Sequence, residues 1–225
     1  MTTTPKGNYA VMAQRVEPDD SLDFFPTPPW ASRALIEEVI GRSAVAGCSC
    51  WEPAAGEGHM AEPLRPFFET LYASDVHDYG RGYGVGNFIE LIDRATCPFR
   101  PDWIITNPPF VLASEFLSRA LMETSHGVAM LLRSAWLESE ERWRSVFAKT
   151  APSTIAHFAE RVPMVKGKWD PDASTATAYS WLIWERDPQT GFDRHSQSRT
   201  VWIPPGAKKR NTAADDRARF AGKAP

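Results

Sequence analysis

Short apolar runs and helix-patterned runs alternate along most of this chain, and that alternation limits its fold more than any other feature. "GCSCWEP", "LYASDV", "PDWIITNPPF", "GVAMLLRSAWL", "TIAHFAERV" and "TAYSWLIWER" each contain a short apolar run of strand length that meets turn or polar residues. Among them fall "WASRALIEEVIGRS", "AEPLRPFFET", "VLASEFLSRALMET" and "ESEERWRSVFAKT". The first of these places Leu35, Ile36, Val39 and Ile40 at a helical period, with Gly41 as a stop. Alternation of this kind indicates an α/β chain whose mostly parallel sheet is covered by helices on both faces. In such sheets ligands bind beyond the carboxyl ends of the strands. The polar residues at those ends are therefore where chemistry is to be sought.

The chain has 225 residues, enough for one domain with appendages. Residues 1–20 are polar without an apolar period and are expected to be a mobile N-terminal segment. Residues 21–205 carry the folded domain, and the basic tail 206–225, with few large apolar residues, is expected to be mobile. A weak tether to phosphate is the sharper role for that tail. No apolar run approaches the roughly 20 residues that span a bilayer, and the start lacks a signal-peptide core. A soluble, cytoplasmic protein is expected. The net charge of −3 argues against a uniformly basic coat but leaves room for a local basic face. Three cysteines, Cys48, Cys50 and Cys97, are too few for a disulfide framework, and no histidine stands at a zinc spacing from them. Cys48 and Cys50 are expected to be buried thiols on one face, and no metal is expected.

"EPAAGEG" joins the first strand to the next helix, where Gly56 and Gly58 permit a tight turn and close backbone approach. Asp75 ends the second strand about 20 residues on, a place from which a carboxylate accepts both hydroxyls of a ribose. The turn lacks the Gly-Lys-Ser/Thr ending of a triphosphate loop, and its acids Glu52 and Glu57 would repel a pyrophosphate. Those acids suit a cationic ligand that carries a ribose. S-adenosylmethionine, with a sulfonium and an ammonium group, meets that description.

Doubled prolines follow a polar residue twice, in "SLDFFPTPPW" and in "TNPPF". Proline fixes its own φ, donates no hydrogen bond and restricts its predecessor, so each segment is a stiff platform with free carbonyls. The order "TPP", "EPAAGEG", the acid after the second strand, "GNF" and "NPPF" resembles the S-adenosylmethionine-dependent DNA adenine-N6 methyltransferases. "LLRSAWLESEERW" and "AYSWLIW" resemble stretches of their small phage-type members, and the likeness covers roughly residues 21–185. It implies a Rossmann-like class I methyltransferase fold, with strand order 3-2-1-4-5-7-6, over residues 21–205. It also implies that Asn107 and the Pro108 carbonyl accept the two N–H bonds of an adenine amine. Pro109 would stiffen the turn and Phe110 would stack on the base. Thr27 would hydrogen-bond the cofactor's carboxylate, with Phe25 and Pro28 walling it. Glu52 would face the ammonium group beside the backbone of Ala54 and Gly56. Asn87 stands where members usually carry Asp, and Phe88 would pack on the cofactor's adenine.

The same resemblance implies a DNA substrate and a flipped base. The length leaves no room for the recognition domain of larger members, so residues 161–177 are the expected nucleic-acid-contacting loop. With neighbouring Tyr179, they combine Arg161, Lys166 and Lys168 with Trp169, cations and aromatics suited to phosphates and unpaired bases. A surface hairpin between the last two strands is the plainer alternative. An RNA guanine-N2 or protein glutamine methyltransferase would offer a planar NH2 to the same platform, and a non-catalytic nucleic-acid-binding relative would keep the fold.

Overall fold

The computed structural model describes residues 23–90, 97–192 and 197–221, and the segment 1–20 lies outside them. Helix α1 (Pro29–Leu35) begins with Pro29 inside its first turn, where a missing N–H costs nothing, and runs into a wider turn over Ile36–Ile40. Next come α2 (Arg42–Val45), β1 (Ser49–Glu52), α3 (Ala61–Leu64), β2 (Thr70–Asp75) and the short β3 (Gly84–Val85). β4 (Trp103–Thr106), α4 (Ala113–Glu123), β5 (Gly127–Arg133) and α5 (Glu140–Arg142) form the middle of the chain. β6 (Thr154–Phe158), β7 (Tyr179–Glu185), β8 (Arg199–Ile203), α6 (Ala207–Asn211) and α7 (Asp216–Phe220) complete it.

The strands make one sheet in the order β3-β2-β1-β4-β5-β7-β6-β8. The expected order 3-2-1-4-5-7-6 is present within it. β7 runs antiparallel to both of its neighbours, while the other pairs are parallel. β8, which the hydrophobic pattern did not disclose, extends the sheet by pairing Thr154–Phe158 with Arg199–Ile203. Its residues are largely exposed, so it carries little apolar signal.

Successive residues of each central strand feed opposite faces, as a pleated strand requires. In β5, Ala129 and Leu131 enter one core with Trp30, Leu35 and Leu64, and Val128, Met130 and Leu132 enter the other with Phe116 and Trp136. Trp181 and Ile183 of β7 join the first core, and Leu182 and Trp184 the second. The continuous apolar runs of the sequence are thus two interleaved sets, one for each helical layer. Cys50 is buried in the first core, whereas Cys48 precedes β1 and is only half-buried. Among the described residues, no helix is long and apolar enough to cross a membrane.

The tail departs from expectation. Residues 207–220 are not a mobile end: they form α6 and α7 and pack on α1. Asp216 is buried and takes both arms of the Arg33 guanidinium, at 2.8 and 2.7 Å. Arg33 also donates to the carbonyl of Asn211, and Arg210 pairs with Glu38. Few apolar residues are needed because polar partners far away in sequence satisfy this segment.

Gly127 opens β5 against the ring of Trp103, and a Cβ there would lie 2.5 Å from a ring carbon. Gly127→Ala is therefore expected to destabilise the fold by about 1–3 kcal/mol through overpacking. Urea unfolding checks this as a lowered midpoint at unchanged slope.

Candidate active site

The two central strands β1 and β4 are parallel neighbours whose following segments diverge, β1 towards β2 and β4 towards β5. That divergence opens a crevice beyond their carboxyl ends. β1 ends there in Glu52, and β4 in Thr106, with Asn107 directly after it. A cleft at this place is walled by Phe24, Phe25, Thr27, Glu52, Asp75 and Asn107, among others.

Both doubled-proline segments meet in it. The Asn107 side chain donates from Nδ2 to the carbonyl of Phe25 at 2.8 Å. The Phe110 N–H donates to Asp23 Oδ2, also at 2.8 Å. With its amide nitrogen committed, Asn107 turns Oδ1 away as an acceptor, and that atom is buried without a partner among the described residues. Phe110 packs against Phe25 at 5.3 Å and Tyr179 at 6.2 Å between ring centres, and the Arg133 guanidinium lies 4.2 Å over its ring. Pro109 lines the cleft and Pro108 is buried behind it.

Glu52 is fully buried. Its Oε1 accepts from Thr106 Oγ1 at 2.6 Å and from the Ala54 N–H at 2.9 Å, while Oε2 has no partner among the described residues. Burial raises its pKa from about 4.5 to about 8, against the opposing pull of those two hydrogen bonds. Asp75 is also raised by burial, though less, because the backbone N–H groups of His77 and Gly56 bond its carboxylate. Gly56 has φ of +52°, and a Cβ on it would meet the Phe24 ring at 2.5 Å. The turn therefore needs glycine both for its conformation and for the close approach of Phe24. At Gly58, with φ of +88°, a Cβ would strike the Tyr83 hydroxyl.

The structure thus brings together Phe25, Thr27, Glu52, Ala54, Asp75, Asn107 and Pro109 around one cleft. Asn87 and Phe88 do not line it. Asn87 Oδ1 accepts from the nearby Ile89 N–H, and Phe88 is buried against Trp51 and Phe116. Pro28 is buried at the cap of α1. Two of the residues expected to contact nucleic acid, Trp169 and Tyr179, are buried. Trp169 is buried and bridges to Ala221, so it is part of the tail's seat rather than an exposed platform. Tyr179 is buried beside Phe110. Arg161 and Lys168 are exposed and Lys166 is half-buried. Sequence reasoning missed Asp23, Phe24, His59, Met60 and Tyr79, which also line the cleft. His59 directly follows the glycine turn, and that adjacency was the available signal.

No protein-family model matches this chain, and no curated protein matches it in sequence. Solved structures do match in shape. A proposed RNA methyltransferase from Pyrococcus horikoshii aligns with a TM-score of 0.53 at 15% identity, over 75% of this chain and 89% of its own. The M protein of the type I restriction enzyme EcoKI aligns with a TM-score of 0.51 at 12% identity, over 77% of this chain and 46% of its own. The modification subunit of a proposed type I restriction enzyme from Vibrio vulnificus YJ016 gives 0.50 at 16% identity, over 87% and 51%. This chain spans about half the length of those two restriction-enzyme subunits. Sheet order and these likenesses together establish a Rossmann-like class I methyltransferase fold.

Glu52 has a consequence for stability. The folded state holds its proton up to about pH 8, and the unfolded chain releases it near 4.5. Between those values unfolding releases a proton, so this group makes the protein less stable as pH rises. Glu52→Gln mimics the protonated acid and is expected to raise the melting temperature at pH 8 while leaving it little changed at pH 4.5. Calorimetric melts of both proteins across that range check it.

Proposed function

We propose that this protein transfers the methyl group of S-adenosylmethionine to the exocyclic N6 amine of adenine in DNA, taking the base out of the helix. The observation that carries this reading is the buried, unpartnered Oδ1 of Asn107 at the head of "NPPF", in the same cleft as the unpartnered Oε2 of Glu52. One is an acceptor suited to an amine, and the other is an acid suited to a cation.

The chemistry of the cleft wall fits the cofactor. Its side chains include the carboxyl groups of Asp23, Glu52 and Asp75 and, among the described residues, no lysine or arginine. A ligand rich in donors and bearing positive charge complements such a wall; a pyrophosphate does not. Glu52 would face the ammonium group, Asp75 the ribose hydroxyls and Thr27 the carboxylate, with Phe25 and Ala54 as apolar wall. Bound there, S-adenosylmethionine supplies a methyl group on an electron-poor sulfur.

The rest is done by the chain itself. An adenine amine is a weak nucleophile because its lone pair is delocalised into the ring. Asn107 Oδ1 and the Pro108 carbonyl would each accept one of its N–H bonds, which favours tetrahedral nitrogen and frees the lone pair. The acceptors are fixed before substrate arrives: Nδ2 of Asn107 is tied to Phe25, and the prolines remove backbone freedom. Asn107 cannot take a proton as a base, so after transfer the proton leaves to water. Phe110 would support the base by stacking, with Tyr179 packed at its side. The motif order, in particular "FFPTPPW" ahead of the glycine turn, favours DNA over RNA or protein.

Transfer of label from S-adenosylmethionine to duplex DNA, single-stranded DNA, ribosomal RNA and cell protein tests this directly. The expected product is N6-methyladenine in DNA, identified by mass spectrometry of the nucleosides. Asn107→Ala is expected to lower the rate by at least about 10²-fold while retaining cofactor binding. Label only in RNA or protein would overturn the substrate, and an Asn107→Ala variant with normal turnover would overturn the mechanism.

Cofactor binding is also expected to depend on pH with a definite sign. A cation at Oε2 favours ionised Glu52, so affinity should tighten as pH rises from about 6 towards 7.5, approaching about tenfold per unit. Titration calorimetry on wild type and Glu52→Gln checks it, the variant showing weaker and flatter binding.

A further inference from the structure

His59 lines the cleft and is 3% exposed, yet no role in the proposed reaction uses it. Its Nε2 lies 3.0 Å from the carbonyl oxygen of Phe220. A carbonyl can only accept, so Nε2 carries the proton, and burial keeps the ring neutral by lowering its pKa. Nδ1 is then a bare acceptor, and it is buried with no partner among the described residues.

The carbonyl that sets this tautomer belongs to the C-terminal segment. Phe220 is buried, and its ring packs on His59 at 5.6 Å between centres. α7 is held in place by the ion pair of Arg33 with buried Asp216, and Ala221 bridges to Trp169. From the same loop the Gly167 N–H donates to the carbonyl of Phe24 at 2.8 Å. The Phe24 ring in turn meets His59 edge-on at 6.2 Å. Cleft wall, loop and tail therefore close a circuit of contacts through Phe24, Gly167, Trp169, Ala221, Phe220 and His59.

We infer that His59 is a cofactor-binding residue, offering Nδ1 to a hydrogen-bond donor of S-adenosylmethionine, and that Phe220 positions it from the C-terminal segment. The inference rests on the cofactor proposed above. It adds an imidazole acceptor to the wall that holds Glu52 and Asp75, and it ties cofactor affinity to residues more than 150 positions downstream.

Calorimetric titration of the full chain with S-adenosylmethionine tests it, with thermal melts alongside. His59→Phe keeps a ring between Phe24 and Phe220 but has no acceptor, and is expected to weaken binding about tenfold. His59→Asn replaces Nδ1 by an amide oxygen and should recover much of that loss. Phe220→Ala should weaken binding in wild type and cost nothing further in the His59→Phe background, since it acts through that ring. Equal loss from Phe220→Ala in both backgrounds would overturn the positioning role. Wild-type affinity in His59→Phe would overturn the inference itself. Should His59→Phe not fold, the His59→Asn and Phe220→Ala comparison decides. A wild-type chain that binds no S-adenosylmethionine would instead sink the cofactor reading on which the inference stands.

Discussion

The hydrogen bond from Thr106 to Glu52 spans the point on which the whole site depends, the crevice between β1 and β4. Each residue is the last of its strand, and each is fully buried. Ordinary parallel pairing brings the two strands side by side, but only the chain reversal on either side leaves space beyond them. The Thr106 hydroxyl holds one oxygen of Glu52 against the sheet and leaves the other for the cleft. An acid that is buried and half-satisfied in this way costs stability at neutral pH. Acids with pKa values raised by burial cluster at functional sites.

The cleft is assembled from four separate stretches of chain that hold one another. Asp23 and Phe25 take the backbone of Phe110 and the side chain of Asn107, so one doubled-proline segment is fastened to the other. Gly56 gives its N–H to Asp75, which fixes the turn after β1 to the end of β2. Each stiff segment would be an arbitrary turn alone. Joined, they place an amide oxygen and a carboxyl group in one cavity, with no lysine or arginine on its wall among the described residues.

Legibility followed the physics of each element. The strands were visible because a central strand buried on both faces must be apolar throughout, as β5 and β7 are. Six residues of the cleft, Phe25, Thr27, Glu52, Ala54, Asp75 and Asn107, were visible in the sequence because the motifs that carry the family resemblance fall at strand ends and beside prolines and glycines. β8 was not, since an exposed edge strand needs no apolar pattern. Trp169 was misread because an aromatic among lysines looks like a surface platform, while its burial depends on a tail over 35 residues later in the chain. For His59 the adjoining glycine turn was a signal, but for Phe24 nothing in its neighbours says which way the ring points.

By itself the sequence determined the α/β class, the alternation of the central elements, and the stiffness of the two proline platforms, all of which follow from period, length and backbone restriction. Only the tertiary structure decided that the polar C-terminal segment is folded, and that it reaches the cleft. Its stability comes from single specific partners, Arg33 for Asp216 and His59 for the Phe220 carbonyl, and these lie 183 and 161 residues away. Hydrophobic patterning records how a segment meets a surface of many residues. A lone ion pair or hydrogen bond leaves no such periodic trace, so these contacts exist only once the sheet has brought their two ends together.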